Sequence, residues 1–406
     1  MPMSDIIVQK FGGTSVGSVD RIDAVADIIK NASKEQKIIV VVSAMSGETN
    51  KLINLANHFG KNPDKREFDA LVSTGETISS ALLAMALHSK GISAKSYSAS
   101  QISMKTTDSF SKAKILDVDA TKIMNVVDDG IIPIITGFQG ITEGGDVTTL
   151  GRGGSDTTAV AIAAQVGAKR CDIYTDVDGV YTTDPKVVSN AKKLDSITME
   201  EMLELAGQGA KVMQTRAVEF ANKFGVPVRV LSSFKDGSGT LISLEDKTME
   251  NAAVSGIAFQ KDQVKFTLHG VDDTPGIAYK ILGPISDGDI EVDVIVQNVS
   301  VDGKTDFTFT VSSDDEKAVD DIIKSNKDEI DYRELMIDSN IAKVSIVGAG
   351  MRSQTGVASR AFKALSNNEV NIEIICTSEI KITMVINEGS VDKAVNILHD
   401  EFELDK

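Results

Sequence analysis

The last third of this sequence repeats itself, and the repeat strongly limits how the chain can fold. Apolar and polar residues recur at the same places in four pairs of segments: 265–270 with 343–348, 276–278 with 356–358, 290–295 with 370–375, and 317–319 with 393–395. Each copy has the order strand, helix, strand, strand, helix, which is typical of a ferredoxin-like βαββαβ unit. The repeat therefore predicts two such modules in tandem.

Ahead of the repeat, buried strands alternate with helices. The run Lys37–Ser43 (KIIVVVS) is continuously apolar, as in a strand covered on both faces of a parallel sheet. Related patterns predict strands at Asp5–Phe11, Ile131–Thr136 and Cys171–Thr175, and helices at 19–29, Glu76–Ser89 and Thr157–Val166. The alternation indicates an α/β fold, a mostly parallel sheet sandwiched by helices. Its ligand site is expected at the carboxyl ends of the strands.

The length of the chain indicates more than one domain. A chain of 406 residues exceeds what one hydrophobic core usually supports, so two or three domains are expected. Between the α/β region and the repeat, the polar segment Ser243–Asn251 (SLEDKTMEN) has the composition of a linker. We therefore expect the first domain to end near residue 245.

Composition and charge exclude several classes of protein. The net charge of −17 disfavours nucleic acid as a partner, because binding a phosphate backbone requires a basic face. No run reaches the ~18 consecutive apolar residues of a membrane span, and no basic patch precedes an apolar stretch at the N-terminus. Cys171 and Cys376 stand far apart, and the four histidines lack the spacing of a zinc site. We expect a cytoplasmic protein without a membrane segment or a metal site of its own.

The first candidate for chemistry is Lys10–Ser15 (KFGGTS), where a lysine closes a buried strand and two glycines precede a helix. Glycines let backbone N–H groups approach a phosphate, and a helix N-terminus adds a partial positive charge. The Lys10 ammonium is suited to stabilise a phosphoryl group during transfer. The spacing is not that of a Walker A loop. A tight turn with a solvated lysine is the alternative interpretation.

A second glycine-rich segment, 151–158 (GRGGSDTT), precedes a predicted helix. The planar guanidinium of Arg152 suits a carboxylate, and the glycines leave room for a small anion. Asp156 is placed to accept a hydrogen bond from Lys10 or to hold a metal-bound water. In the alternative interpretation, Ser155 or Asp156 only caps the helix.

A third segment, 174–185 (YTDVDGVYTTDP), follows a predicted strand. It is polar and rich in turn-forming residues, and it lies where an α/β fold places a nucleotide. The alternative is an Asp/Gly turn that binds nothing.

Together these segments resemble the aspartate kinases of the amino-acid kinase superfamily. KFGGTSVG, TLGRGGSDTTA and IYTDVDGVYTTDP carry the resemblance, and further matches follow in order at 43–45, 74–76, 137–140 and 209–212. In the tail, 347–351 (VGAGM) and 377–380 (TSEI) look like the paired ACT regulatory modules of this family. The resemblance implies three domains: an amino-acid kinase domain over 1–245, a first ACT module over 264–341, and a second module formed by 250–263 and 342–406.

The resemblance also implies a reaction and the residues that serve it. ATP and L-aspartate give ADP and 4-phospho-L-aspartate, the first step towards lysine, threonine and methionine, with MgATP held mainly through its phosphates. The substrate carboxylate is already ionised at pH 7, so no protein base is needed. The implied catalytic residues are Lys10 and Asp156. The implied ATP-binding residues are Lys10, Phe11, Gly12, Gly13, Thr175, Asp176, Tyr181, Asp184 and Lys211. The implied aspartate-binding residues are Ser43, Thr49, Glu76, Arg152, Gly153, Gly154 and Ser155.

For the tail, the resemblance implies an effector pocket between the ACT modules that binds lysine, threonine or both. The implied residues are Asp273, Pro275, Gly276, Ile277, Ala278, Gln297 and Asn298 of the first copy, and Asn371, Ile372 and Glu379 of the second. Ala358 stands where some relatives carry a threonine, so a hydroxyl is lost there and the identity of the effector stays open. Pairing of edge strands implies a homo-oligomer, and in some relatives a separate regulatory subunit begins near the position of Met249. That the repeats serve only dimerisation is the alternative.

Two other functions fit part of these observations. Another kinase of the superfamily, acting on glutamate, carbamate or UMP, shares the fold, but the KFGGTS start and the paired ACT modules argue against it. A non-catalytic amino-acid sensor keeps the fold without the chemistry, and the presence of Lys10, Arg152 and Asp156 counts against it. Turnover on a panel of substrates separates the three.

Overall fold

The computed structural model describes residues 5–60, 63–210, 212–244, 252–298 and 303–406. The chain divides into two compact units. Unit 1 spans Met1–Tyr181, Lys193–Gly207 and Lys211–Met249, and unit 2 spans Thr182–Lys192, Gln208–Ala210 and Glu250–Lys406. Most of the predicted linker, including Met249, lies outside the described residues.

Unit 1 is built on a mostly parallel sheet. Its strands are β1 (Ile6–Phe11), β2 (Lys37–Val42), β3 (Ala94–Tyr97), β4 (Lys105–Thr106), β5 (Ile115–Asp117), β6 (Ile132–Thr136), β7 (Gln139–Ile141), β8 (Val147–Thr149), β9 (Arg170–Thr175), β10 (Ser196–Thr198), β11 (Val228–Ser232) and β12 (Thr240–Ser243). The large sheet has the order β10-β12-β11-β9-β1-β2-β6-β3, and β5-β4-β7-β8 form a smaller one. In the large sheet, β11 and β12 pair antiparallel and the other described pairs are parallel.

Helices cover the large sheet as the apolar spacing predicts. They are α1 (Val19–Ala32), α2 (Glu48–Asn57), α3 (Lys65–Val72), α4 (Thr74–Ser89), α5 (Ala120–Asp128), α6 (Gly154–Val166), α7 (Met199–Gly207) and α8 (Thr215–Phe224). In α1 the Ser18 side chain caps the N-terminus by accepting from Arg21 N, and residues at helical spacing from Ile22 to Ile29 are buried. They pack with α4, β1, β2 and β6 in one core. The predicted α/β fold is confirmed.

Unit 2 contains a six-stranded sheet in the order β14-β15-β13-β16-β18-β17. Its strands are β13 (Gly256–Asp272), β14 (Ile295–Gln297), β15 (Lys304–Ser312), β16 (Glu334–Val347), β17 (Ile374–Thr377) and β18 (Lys381–Asn387). Its helices are α9 (Ile277–Asp287), α10 (Glu316–Ser325), α11 (Lys327–Ile330), α12 (Val357–Asn367) and α13 (Val391–Glu401). The long antiparallel pair of β13 and β16 joins the two copies of the repeat in the centre of the sheet.

The strands predicted at 290–295 and 370–375 are displaced towards the C-terminus. β14 begins at Ile295 and β17 at Ile374, and the residues before them make isolated backbone hydrogen bonds, such as Glu373 N to Val385 O at 2.8 Å. A carboxylate inside each segment is drawn to a lysine of the other copy, Asp293 to Lys343 and Glu373 to Lys265. These ion pairs fix the two segments where a regular ladder does not.

One helical stretch in the described residues, Lys65–Ser89, passes a test for membrane spans by length and composition, but half of its apolar window is buried inside the protein. It consists of two helices, α3 and α4, that meet at Ser73. Buried residues of α4, such as Leu83 and Leu87, belong to the core of unit 1. We interpret the stretch as core helices.

A buried carboxylate in the large sheet allows a test of this packing. Asp172 of β9 is 1% exposed and accepts from Arg170 Nε at 2.7 Å and from Arg229 Nη2 at 2.8 Å. Asp172→Ala leaves both guanidinium groups without their counter-charge, so we expect the free energy of unfolding to fall by about 3–5 kcal/mol. Urea denaturation followed by circular dichroism measures the change.

The matched control removes an exposed ion pair from the same sheet. Asp128→Ala breaks the 2.8 Å contact between Asp128 Oδ1 of α5 and Lys37 Nζ of β2. Both side chains are more than half exposed. We expect a loss below about 1 kcal/mol, because water already solvates both charges. Equal losses in the two variants would contradict the role given to Asp172.

Candidate active site

Neighbouring parallel strands of unit 1 end side by side. The register pairs Phe11 with both Val42 and Tyr174, and Val42 with Thr136. The loops that follow β1, β2, β6 and β9 therefore begin at one edge of the sheet. This is the edge at which the sequence predicts a ligand site.

At this edge, Lys10 meets Asp156. The Lys10 Nζ lies 2.6 Å from Asp156 Oδ1, and the two side chains are 10% and 11% exposed. The contact is one between charges rather than an aligned hydrogen bond, since Oδ1 has no hydrogen-bond donor in the described residues. Asp156 lies in the first turn of α6, where the helix dipole favours a negative charge. The predicted partnership of these two residues is confirmed as a contact.

The glycines after β1 leave room beside the ammonium group. A Cβ on Gly12 would lie 3.5 Å from Lys10 Nζ, and one on Gly13 would lie 3.0 Å from Ala44 O. The Phe11 side chain points away, because it is fully buried and stacks on Tyr174 with 4.7 Å between the ring centroids. Phe11 was predicted to bind ATP, and this packing leaves only its backbone for that role.

The helix α6 begins earlier than the sequence predicts. Gly153, with a φ of +68°, is its N-cap, so the helix starts at Gly154 and not at Thr157. The alternative in which Ser155 or Asp156 caps the helix is therefore wrong. A Cβ on Gly137, at the end of β6, would lie 2.6 Å from Ser155 Oγ. Gly137 thus allows the start of α6 to pack directly against the end of β6.

Arg152 precedes this helix and is exposed, with no ion-pair or hydrogen-bond partner in the part of the chain that the structure describes. Its guanidinium is available to a ligand. Thr49, in the first turn of α2, is half-buried and likewise makes no side-chain hydrogen bond to a described residue. Ser43 begins the loop after β2, and its carbonyl accepts from Ser79 Oγ at 2.7 Å.

Glu76 is a buried carboxyl group in the first turn of α4. Its Oε1 accepts from Ala44 N at 3.0 Å, while Oε2 has no hydrogen-bond partner among the described residues. Burial raises the pKa of Glu76 from 4.5 to about 7, and the hydrogen bond from Ala44 opposes the rise only in part. A carboxylate held in this way gains most from a cation that arrives with a ligand.

The segment predicted to hold the nucleotide is divided between the two units. Thr175, Asp176 and Tyr181 belong to unit 1, whereas Asp184 belongs to unit 2, where its side chain accepts from Lys186 N at 2.8 Å. Thr175 Oγ1 donates to Asp176 Oδ1 at 3.1 Å, and Tyr181 OH donates to Asp178 Oδ1 at 2.9 Å. Lys211 lies outside the described residues.

Comparison with known proteins decides the family. A model of the amino acid kinase family matches residues 5–232, and a model of the ACT domain matches residues 344–402. The aspartate kinase of Pseudomonas fluorescens is 56% identical over 404 residues, which cover 98% of both chains. The chain belongs to the aspartate kinases. It is a phosphotransferase with a carboxylate acceptor.

Solved structures agree with this assignment. E. coli aspartokinase III in complex with aspartate and ADP matches with a TM-score of 0.82 at 27% identity, covering 98% of this chain and 99% of that one. The complex of the same enzyme with lysine and aspartate matches with a TM-score of 0.78 at 28% identity, covering 98% and 100%. The predicted family, its amino-acid kinase fold and an ACT domain at the C-terminal end are confirmed.

Some contacts that shape this candidate site were not predicted from the sequence. Ser15 Oγ donates to Tyr174 O at 3.3 Å and accepts from Ser233 Oγ at 2.8 Å, which ties the loop after β1 to the ends of β9 and β11. The Ala44 amide that binds Glu76 was missed as well. Ser15 and Ser233 are 218 positions apart, and a serine at the end of a strand carries no signal in sequence.

The predicted effector residues lie on both copies of the repeat in unit 2, those of the first copy after β13 and around β14, and those of the second on either side of β17. Gln297 of β14 donates to Asp273 Oδ1 at 3.4 Å, and Gly276 is the N-cap of α9, so these first-copy residues lie together. Asn371 and Ile372 precede β17, which is five strand spacings away from β14, or roughly 24 Å. Within one chain, β13 and β16 lie between these two edge strands, and the effector pocket between the two copies stays a prediction.

The described residues contain no cluster of metal ligands. Among the described residues, no group of three or more His, Cys, Asp or Glu side chains is arranged to hold a metal ion. Asp156 is the carboxylate nearest to Lys10 in the site.

The buried Glu76 predicts how stability depends on pH. Because the pKa of Glu76 is about 7 in the folded chain against 4.5 in the unfolded chain, the folded state binds more protons between these values. The free energy of unfolding therefore falls as the pH rises through this window. We expect Glu76→Gln to stabilise the protein by up to about 3 kcal/mol at pH 8 and to gain little at pH 4.

Thermal or urea unfolding of both proteins across this pH range measures the difference. Glu35→Gln, a change at an exposed position after the end of α1, is the control for loss of one negative charge. A difference between Glu76→Gln and the unchanged protein that stays constant from pH 4 to pH 8 contradicts the assignment.

Proposed function

We propose that this aspartate kinase transfers the γ-phosphoryl group of MgATP to the side-chain carboxylate of L-aspartate, giving ADP and 4-phospho-L-aspartate. One observation carries the proposal: the Lys10 ammonium, paired with Asp156 at 2.6 Å, lies at the strand edge beside the glycines of the loop after β1. A transfer with an ionised acceptor needs positioning and charge neutralisation rather than a protein base. The arrangement supplies both.

Lys10 and Asp156 have different roles in transfer of the phosphoryl group. Lys10 neutralises negative charge on the oxygens of the transferring group, and the backbone N–H groups of Gly12 and Gly13 line its path. Asp156 holds the ammonium in place and faces the water shell of Mg²⁺. The Mg²⁺ ion, bound mainly through the nucleotide phosphates, supplies further charge neutralisation. Thr175, Asp176 and Tyr181 bind the rest of the nucleotide, and the parts given to Asp184 and Lys211 follow from the family resemblance alone.

Arg152 and Glu76 recognise opposite ends of the amino acid. The exposed guanidinium of Arg152 binds a substrate carboxylate through two parallel hydrogen bonds. Glu76 Oε2, buried without a partner among the described residues, receives the α-ammonium group. Only the ionised carboxylate attracts the ammonium group. Because the pKa of Glu76 is about 7, affinity for aspartate increases as the pH rises through this value. The remaining aspartate-binding positions are Ser43, Thr49, Gly153, Gly154 and Ser155.

The catalytic proposal is tested at Lys10. Lys10→Ala removes the charge from the transferring group, so we expect kcat to fall by roughly 10²–10³-fold, about 2.7–4 kcal/mol of transition-state stabilisation. ADP release, together with trapping of the acyl phosphate by hydroxylamine, measures it. Glutamate, carbamate and UMP are offered in the same assay to test the other kinase activities of the superfamily.

The control is Lys37→Ala, which removes an exposed lysine at the opposite end of the neighbouring strand. We expect it to leave turnover unchanged. If Lys10→Ala turns over aspartate as fast as the unchanged enzyme, Lys10 has no catalytic role.

We further propose that the enzyme is feedback-regulated by lysine, threonine or both, through two ACT modules over 264–341 and over 250–263 with 342–406. Residues Gly256–Gln260 of β13 pair with Lys343–Val347 of β16, which supports a second module completed by the segment before the first. E. coli aspartokinase III has been solved with lysine bound. The effector residues of the first copy gather at Asp273 and Gly276.

Oligomerisation follows from the exposed sheet edges. Ile295 of β14 and Ile375 of β17 occupy matching positions in the repeat, and each is 47% exposed on an edge strand. Edge strands pair readily with a second chain, so we propose a homo-oligomer that brings Asn371, Ile372 and Glu379 towards the first-copy residues of its partner. We also propose that the enzyme is cytoplasmic and that it assembles with a separate regulatory subunit. Its product enters the pathway to lysine, threonine and methionine.

Thermal shifts identify the effector. Lysine and threonine are added singly and together. The true effector binds only the folded state, so at a hundred times Kd it adds about 2.7 kcal/mol to the free energy of unfolding and raises the melting temperature. Asp273→Ala is expected to abolish the shift. Asp287→Ala, at the exposed C-terminal end of α9, the helix that follows Asp273 in sequence, is the control and is expected to retain it. A full shift in Asp273→Ala places the effector elsewhere.

A further inference from the structure

A buried aspartate outside the predicted set holds the backbone that leads to Arg152. Asp69 of α3 is completely buried and accepts four hydrogen bonds. Its Oδ2 accepts from Ser111 N at 2.8 Å and from Thr149 N at 2.7 Å. Its Oδ1 accepts from Ser111 Oγ at 3.0 Å and from Thr149 Oγ1 at 2.9 Å. One carboxylate therefore fixes two segments that are 38 positions apart in sequence, by four charge-assisted hydrogen bonds.

Both partners of Asp69 lead directly to the loop of Arg152. Thr149 ends β8, three positions before Arg152. Ser111 has a φ of +68°, a conformation that a residue other than glycine keeps only when its surroundings enforce it. Its carbonyl oxygen lies 3.1 Å from where a Cβ on Gly151 would be. If Ser111 loses its hydrogen bonds to Asp69, its carbonyl no longer holds the backbone of Gly151 in place.

A second anchor joins the same two segments. Arg216 Nη1 donates to Leu150 O at 2.6 Å, and Nη2 donates to Ala113 O at 2.8 Å. On the other side of the loop, Gly154 N donates to Gly151 O at 3.0 Å as α6 begins. The backbone around Arg152 is thus held from both sides, while its guanidinium has no partner in the residues that the structure describes.

We propose that Asp69 is a positioning residue for substrate recognition. By holding Ser111 and Thr149, it sets the place from which Arg152 reaches a carboxylate of the amino-acid substrate. This inference rests on the proposed function. The loop of Lys10 is held by other contacts, including Gly12 N to Tyr174 O at 3.0 Å. Loss of Asp69 therefore weakens recognition of the amino acid and spares that of the nucleotide.

Two substitutions at Asp69 separate hydrogen bonding from charge. In Asp69→Asn, the amide oxygen accepts from the two backbone N–H groups and the amide NH₂ donates to the two hydroxyls, which reverse their direction. Asp69→Ala removes all four bonds. We expect Asp69→Ala to raise KM for aspartate by roughly 10–100-fold and to change KM for ATP by less than about twofold. We expect Asp69→Asn to restore KM for aspartate to within about threefold of the unchanged enzyme.

A second pair of variants keeps the test valid if Asp69→Ala fails to fold. Thr149→Val removes one hydrogen bond to Asp69, whereas Thr148→Val removes the buried 2.6 Å bond to Thr106 from the neighbouring position of β8. Both lose a buried hydroxyl of the same strand, so similar losses of melting temperature are expected. Only Thr149→Val is expected to raise KM for aspartate and to weaken aspartate binding in calorimetry.

The outcomes separate this inference from the function on which it rests. Turnover of aspartate by the unchanged enzyme tests the proposed function by itself. With that turnover present, equal changes of KM for aspartate in Thr149→Val and Thr148→Val overturn the positioning role. So does a folded Asp69→Ala variant whose KM values for aspartate and ATP rise together. A shift confined to aspartate, with recovery in Asp69→Asn, supports it.

Discussion

The contact between Lys10 and Asp156 is the interaction on which the proposed catalytic site depends. A buried ammonium is costly unless a carboxylate compensates it, and here the two groups come from distant parts of the chain, the end of β1 and the start of α6. Their proximity requires α6 to start at Gly154, close to the sheet edge. Gly137 allows this close approach, because any side chain there would collide with Ser155. The placement of charge therefore depends on the absence of a side chain.

The site combines groups that favour folding with one that opposes it. Asp69 satisfies four donors and stabilises the loops around Arg152, whereas Glu76 holds a buried carboxyl whose pKa is raised to about 7. Such a group weakens the fold near neutral pH, and in the proposed mechanism the substrate ammonium neutralises it on binding. Glu76 therefore lowers the free energy of unfolding at a position that is proposed to contribute to substrate binding. This division is common where function requires a charge away from water.

In unit 2, the duplication includes two matching ion pairs as well as the matching strands. Lys265 of the first copy pairs with Glu373 of the second, and Lys343 of the second pairs with Asp293 of the first. Each copy therefore supplies the countercharge of the other. The same joining of β13 and β16 in the centre leaves β14 and β17 at opposite edges of the sheet.

The sequence by itself determined the fold class, the catalytic motifs and the duplication, because apolar periodicity and glycine-rich segments are local signals. It predicted Lys10, Arg152 and Asp156 as candidate site residues, because each stands in or beside a glycine-rich segment typical of anion binding. Tertiary structure alone decided that Asp69 and Ser233 shape the site, that Gly153 caps α6 so that the helix starts at Gly154, and that β14 and β17 begin late. These features depend on contacts between residues far apart in the chain and on side chains competing for the same space. No local pattern records them.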